Sequence, residues 1–169
     1  LGLGYTPENR KEVGLVQMAA IHDNLILASL DRIARAGLTN RLRETPSVTQ
    51  QIRDLGIKVA DPLLPVSTLS GGNQQKVVIG NWLNTGPKVM FFDEPSRGVD
   101  IQAKQQIFEI MWAQAEAGLS SIFVSSELEE LLDVSDRILV MHHGRLVAEV
   151  TPETTNLTEL YRLCMEGQP

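Results

Sequence analysis

Cysteine is almost missing from this sequence. Cys164 is the single one in 169 residues, which excludes an internal disulfide and gives no sign of an oxidising compartment. Long apolar runs are missing too: none approaches the roughly 20 residues that cross a bilayer, and no secretory leader is visible. Basic clusters go no further than short mixed runs such as Asn40–Glu44, and the formal net charge is −6. That balance argues against a nucleic-acid partner, whose phosphate backbone asks for a cationic face. Internal repeats and low-complexity segments are absent. The three histidines, His22, His142 and His143, have no metal-ligand company in sequence.

What is present is ordinary for a soluble globular protein: 43% hydrophobic and 21% charged residues. The length allows one domain with a real core. The opening, "LGLGYTPENRK", has no initiator methionine and reads as the continuation of a longer chain.

The first half reads as mostly helical. A helix is expected from Ile21 or Asp23 to Arg35, before Gly37. Ser47 or Thr49 opens a second one through Leu55, with Gly56 in the C′ position. Pro62 and Pro65 make "VADPLLPVSTL" a loop. Ser70 then reads as the N-cap of a helix reaching about Asn84, where "NTGP" stops it. From Lys88 the texture changes. "VMFF" is a short apolar run expected of a strand covered on both faces. A helix follows from about Ile101 to Ala117, with Ile107, Phe108, Ile110, Met111 and Trp112 on its apolar face. "SSIFVSS" reads as a second buried strand, and "ELEELLDV" as a short helix with Leu128, Leu131 and Leu132 facing in. "DRILVMHHGRLVAEV" reads as two strands joined at His143-Gly144, before a last helix at Leu157–Glu166. Alternating strands and helices point to an α/β layer structure with parallel strands, preceded by a helical subdomain. Trp82, Trp112 and Cys164 read as core, and Glu127, Glu129, Glu130 and Asp133 as a solvated helix face.

Two stretches carry chemistry. In open α/β sheets functional groups gather at the carboxyl ends of strands, and Asp93 and Glu94 directly follow "VMFF". One reading gives Asp93 to Mg²⁺ through water and leaves Glu94 to orient or deprotonate an attacking water. The other is an acidic loop that caps a neighbouring helix. The second stretch is "TLSGGNQQK". If Ser70 is the N-cap, the first-turn N–H groups lack intrahelical partners, and Gly71 and Gly72 keep side chains away from them. The result is a bare, partly positive helix end suited to phosphate.

"LSGG" with "QK", then an apolar strand ending "DEP", then "SRGVD", resembles the ATP-binding cassette (ABC) ATPases along nearly the whole chain. "PENRK", "LSGGNQQK" and "VSSE" resemble the second cassette of fused, double-cassette bacterial sugar importers of the ribose, galactose or xylose type. The resemblance implies a partial P-loop NTPase core of the α/β class, with parallel strands and an α-helical signature subdomain. Residues 1–13 would hold the Q-loop region, 14–86 the helical subdomain, and 87–169 the C-terminal part of the RecA-like ATPase core. It makes Ser70, Gly71, Gly72 and Asn73 the signature that meets a partner's nucleotide, and Phe91–Asp93 the end of the Walker B strand. Asp93 would then serve Mg²⁺ through water, and Glu94 would be the catalytic carboxylate. Ser96 and Asp100 bound the D-loop, Glu8 takes the Q-loop position and Ser126 the switch position.

ATP and Mg²⁺ are the implied cofactors. The implied partners are a second cassette, membrane-spanning permease subunits and, indirectly, a periplasmic solute-binding protein, with no nucleic acid. The implied location is the cytoplasm, on the inner face of the cell membrane. Non-transport cassettes of DNA repair or translation, and a regulatory cassette without hydrolysis at its own site, are the alternatives.

The departures restrict the reading. No G-x-x-x-x-G-K-[ST] occurs, and no Gly-Lys pair at all. Glu8 stands where most cassettes have glutamine, Ser126 where most have histidine, and Asn73 where glutamine most often follows the glycines. A serine hydroxyl cannot become a cation near neutral pH, so the cassette's own site is expected to be the weaker one. A helix N-terminus contributes about 0.3–2 kcal/mol to an anion, whereas even a millimolar Kd needs about 4 kcal/mol. The signature can therefore only complete a site whose main grip lies elsewhere, and the chain alone is expected to be inactive.

Overall fold

In the computed structural model, which describes residues 2–34 and 38–167, the chain begins with a strand that the sequence pattern did not announce. β1 (Leu3–Thr6) runs parallel to β2 (Val89–Asp93), in register from Leu3↔Val89 to Thr6↔Phe92. Gly4 permits a close approach here: a Cβ on it would lie 2.3 Å from Met90 Sδ and 3.3 Å from Trp82 Cβ. β3 (Ser120–Val124) completes a sheet in the order β1-β2-β3. Two compact units divide the chain, residues 1–122 and 123–169, and the division falls within β3.

In the first unit, α1 (Ile21–Ile26) is followed by a 3₁₀ turn at Leu27–Ser29 and by α2 (Leu30–Ile33), in place of the single expected helix. The interruption has an identifiable cause. Asn81 Oδ1 accepts the Ala28 N–H at 2.7 Å and Asn84 Nδ2 donates to the Leu25 carbonyl at 2.7 Å, so side chains from another helix take over backbone partners. The expected end at Arg35 and Gly37 lies outside the described residues. α3 (Arg41–Asp54) starts well before the expected Ser47 or Thr49 and carries Pro46 inside it. Its cap is Asn40, whose Oδ1 accepts the Leu42 N–H at 3.0 Å, while Glu44 Oε1 accepts the Asn40 N–H at 2.7 Å.

α4 (Gly71–Leu83) is the central helix of this unit and packs on α1 and β1. Val77, Val78 and Ile79 are wholly buried. Gly80 allows neighbouring helices in: a Cβ there would come within 2.8 Å of Leu55 and 2.9 Å of Leu25. α5 (Ile101–Glu116) buries Ala103, Ile107, Phe108, Ile110 and Met111, but Trp112, expected on the same face and in the core, is 39% exposed. Two strand expectations also need correction. β2 alternates, with Met90 and Phe92 buried and Val89 and Phe91 half-buried, so it is not covered equally on both faces. β3 is mostly exposed rather than buried, including Ile122 and Val124.

The second unit has a core of its own. α6 (Leu128–Val134), the hairpin β4 (Ile138–His142) and β5 (Arg145–Val150), and α7 (Leu157–Glu166) surround Ile138, Val140, Leu160 and Leu163. The hairpin is antiparallel and turns at His143 and Gly144, both with positive φ (46° and 74°), as a two-residue turn requires. Cys164 packs against this core as a small apolar residue. Glu130, expected in the solvated acid run, is buried instead, and its Oε2 accepts the Ser125 hydroxyl at 2.7 Å. Among the described residues no helix is long and apolar enough to cross a membrane.

Candidate functional site

α4 begins without a side-chain cap. Ser70 occupies the N-cap position with φ −62° and ψ 159°, yet its hydroxyl bonds to none of the first-turn N–H groups. The first intrahelical bond is Gln74 N–H to the Ser70 carbonyl, at 2.9 Å. The N–H groups of Gly71, Gly72 and Asn73 precede it and lie outside the helical ladder, which leaves a partly positive end.

Asn73 explains why the serine does not cap. Its Oδ1 accepts the backbone N–H of Lys58 at 2.9 Å, and its Nδ2 donates to Ser70 Oγ at 2.9 Å. A backbone N–H can only donate, so the Lys58 contact fixes which end of the amide faces Ser70. Ser70 Oγ is thereby an acceptor for Asn73, and its own hydrogen remains available to a ligand. The rest of "NQQK" turns inward. Gln74 Nε2 donates to the Val66 and Leu69 carbonyls, at 3.3 and 3.2 Å. Lys76 Nζ donates to the Gly56 carbonyl at 2.9 Å and to Gln106 Oε1 at 2.7 Å, and burial pulls its pKa below the usual lysine range. These polar residues hold the helix start in place.

Packing demands the glycine at 72 and leaves a side chain at 71 little room. A Cβ on Gly72 would lie 2.3 Å from the Cβ of Ala103, and one on Gly71 would lie 2.7 Å from Arg10 Nη2 and 3.3 Å from the Gly98 carbonyl. The start of α4 thus presses against the connection between β2 and α5. A small polar cleft of about 120 Å³ opens beside it, lined by Lys58, Ser70, Gly72, Asn73, Lys76, Asp100 and Gln106 among others. Small-molecule sites usually occupy about 300–1,000 Å³, so this cleft does not enclose a nucleotide by itself.

At the end of β2, Asp93 Oδ2 accepts the Tyr5 hydroxyl at 2.9 Å. That hydrogen bond, then burial and the carboxylate charge, raise the Tyr5 phenol above its ordinary range. Glu94 follows with φ 47°, a left-handed backbone that costs a non-glycine residue about 1–2 kcal/mol. A reverse turn holds it there, with Arg97 N–H donating to the Glu94 carbonyl at 3.1 Å. Ser96 is buried just beyond. Asp100 caps α5, its Oδ1 accepting the Ala103 N–H at 2.9 Å. Glu8 is brought to the same connection by an ion pair with Arg97. Both side chains are about half exposed, so the pair contributes on the order of 0.2–1 kcal/mol at most.

Two residues at this junction were not singled out from sequence. Tyr5 sits in the unannounced strand, and Arg10 lies within "PENRK". Arg10 is buried; its Nη1 donates to the Arg97 carbonyl at 2.8 Å and its Nη2 to the Gly98 carbonyl at 3.1 Å. The nearest signal was the basic pair after Pro7-Glu8, which has no periodicity to mark it. Ser126 belongs to the second unit, in the connection between β3 and α6, where it is exposed. Its neighbour Ser125 shapes that connection by accepting the Glu127 N–H at 3.0 Å.

The motifs that meet around α4 now have counterparts outside the chain. Residues 3–97, more than half of it, match the sequence pattern of the family described as ABC transporter. The chain belongs to the ABC transporter family. Among curated ABC proteins, it is 43% identical over 167 residues to the ribose import ATP-binding protein of Bacillus subtilis, covering 99% of this chain and 34% of that protein. It is 43% identical over 148 residues to an uncharacterised ABC transporter ATP-binding protein of Escherichia coli, covering 88% of this chain and 29% of that one. The chain thus spans about a third of the length of the curated relatives it matches. A chain of an ABC transporter solved in an inward-facing conformation superposes with a TM-score of 0.78 at 13% identity, covering 97% of this chain and 63% of that one. The fold is accordingly the α/β, P-loop NTPase fold of ABC ATPases.

No group of three or more His, Cys, Asp or Glu side chains able to hold a metal ion occurs among the described residues. Mg²⁺ commonly binds through one or two carboxylates, with waters and substrate phosphates as its other ligands. Asp93, with one oxygen held by Tyr5, fits that mode.

Proposed function

We propose that this chain is part of the ATP-hydrolysing cassette of an importer for a sugar or related small polar solute, ribose-like by similarity to the ribose import proteins. The observation that carries the reading is the uncapped start of α4, where Asn73 diverts the Ser70 oxygen and leaves a hydroxyl hydrogen and three N–H groups outside the helical ladder. Ser70, Gly71, Gly72 and Asn73 would donate to the terminal phosphate of a nucleotide gripped by a second cassette. Pairing is required by magnitude: the helix end supplies about 0.3–2 kcal/mol, and a millimolar Kd needs about 4.

Asp93 would hold Mg²⁺ through water, an ion that neutralises charge on the phosphate oxygens when bound. The Tyr5 hydroxyl orients that carboxylate. Glu94, fixed in its left-handed turn, would orient the attacking water and accept its proton. Ser96 and Asp100 lie in the stretch that would couple the paired sites, Glu8 on the side that would face the membrane subunits, and Ser126 at the switch position. On this reading the protein works at the cytoplasmic face of the membrane, with permease subunits and, through them, a solute-binding protein. The chain alone would not hydrolyse ATP.

The test is turnover of the complete cassette protein assembled with its membrane subunits. Ser70→Arg is expected to abolish hydrolysis while Mg-ATP still binds, and Glu94→Gln, which removes the carboxylate of the weaker site, is expected to lower it less. Full turnover with Ser70→Arg beside a dead Glu94→Gln would remove the signature from the reaction. Sugar uptake by the same assembly decides the transport half of the reading.

A further inference from the structure

Arg10 is a charged residue placed where charge is expensive. Its side chain is buried, and burial depresses its pKa from the usual arginine value. Its acceptors here are backbone carbonyls and not carboxylates: Arg97 at 2.8 Å and Gly98 at 3.1 Å, each met by a different terminal nitrogen. Those carbonyls belong to a turn in which Gly98 has φ +66°, Arg97 N–H donates to the Glu94 carbonyl at 3.1 Å and Val99 N–H to the Ser96 carbonyl at 3.4 Å. The same guanidinium sits against the helix start, 2.7 Å from where a Gly71 Cβ would be. Two remote stretches of chain, at Gly71 and at Arg97–Gly98, therefore meet at the side chain of Arg10.

We propose that Arg10 is a positioning residue for ATP turnover: its planar fork holds the 97–98 backbone against Gly71, so that the signature turn and the stretch carrying Ser96 and Asp100 form one fixed surface. This rests on the reading of the chain as part of an ATP-hydrolysing cassette. The fork geometry matters because two carbonyls are engaged by two nitrogens in a fixed plane. A lysine ammonium offers charge at a single point and cannot reproduce both contacts with the same geometry. Glu8 reinforces the junction from the same stretch, through its ion pair with Arg97.

The test compares parent, Arg10→Lys and Arg10→Met in the complete cassette protein assembled with its membrane subunits, reading kcat and KM for Mg-ATP together with amide hydrogen exchange. Arg10→Met is expected to lower kcat by about tenfold or more with KM within about threefold of parent, the pattern of a lost transition-state arrangement rather than lost binding. Exchange is expected to rise at Arg97 and Val99, whose N–H groups close the turn, and at Gln74, the first bonded amide of α4, with 21–26 unchanged, and Arg10→Lys is expected to recover part of both effects. The proposal is overturned if kcat stays within about threefold of parent, or if the loss appears in KM alone. It is equally overturned if exchange rises throughout the chain, which would make Arg10 a general stability residue. Should Arg10→Met fail to fold, Arg10→Lys decides: a lowered kcat with exchange raised at the same amides supports the role, and parental kcat with parental exchange overturns it. A parent without ATPase activity defeats the function reading and leaves the exchange comparison to judge the clasp. A parent that turns over, with variants at parental kcat, defeats the positioning role alone.

Discussion

At Gly72 a methyl group would have to occupy the space of another methyl: its position is 2.3 Å from the Cβ of Ala103. Alanine favours a helix interior over glycine by up to about 1 kcal/mol, yet overpacking of this kind costs about 1–3 kcal/mol. Gly72→Ala should therefore destabilise the protein by a net ~1 kcal/mol, despite its better propensity. Urea unfolding checks this, and adding Ala103→Gly in the same chain should return part of the loss. An equal loss with either residue at 103 would show that the contact is not the cause. The sequence invites a different explanation of the glycines, as access for an anion, and the two explanations do not compete. What could not be read from residues 68–76 is what lies opposite them, because Ala103 and Arg10 are remote in the chain. Asn73 is similar. Its type and position are legible, but its work of turning the Ser70 hydroxyl out of the cap depends on the Lys58 backbone arriving beside it.

The hairpin and α7, whose causes are local, were legible; elements with remote causes were not, and neither was the start of α3, although Asn40 and Glu44 secure it locally. The β4–β5 hairpin has its turn written in His143-Gly144, and α7 has Asn156 as its cap and Gly167 at φ 65° as its stop. β1 is four residues long with a glycine inside, and only pairing with β2 makes it a strand. β2 and β3 were expected to be covered on both faces, but continuous apolar character states what a strand can bury, not what is there to cover it. In α3, Pro46 argues for a boundary between residues 44 and 47, yet the helix runs through it because Asn40 and Glu44 secure the turn before it. Proline lacks the N–H that would have bonded to Leu42, so the early turns of α3 lean on their cap more than most. Asn40→Ala should cost about 1 kcal/mol and should raise hydrogen exchange at residues 41–45 while residues 50–54 keep theirs. Uniform fraying of the whole helix, or none at all, would deny the cap that role.

At the scale of the molecule, two units with separate cores follow one another, and the motif residues divide unequally between them. The signature, the two carboxylates, Asp100 and Glu8 fall in residues 1–122, while Ser126 falls in residues 123–169. The motifs made the family legible without any phosphate loop in the sequence, since their order and spacing are specific even over about a third of a relative's length. The division into units was not legible, because Ile122 and Phe123 sit inside one apolar run with no turn residue between them. The second unit is small, and its stability rests on few side chains: Leu160 and Leu163 from α7 meet Ile138 and Val140 from β4, with α6 leucines alongside. Leu160 is wholly buried, so Leu160→Ala should cost about 2–5 kcal/mol of local stability. If the units are separate cooperative bodies, amides at 138–150 and 157–166 should exchange faster in that variant while those of α4, residues 74–83, retain parental protection. Loss of protection in α4 to the same degree would mean that the chain unfolds as one body. In that case a weakened C-terminal core would be felt directly at the signature turn, and the Arg10 variants would have to be compared at matched global stability.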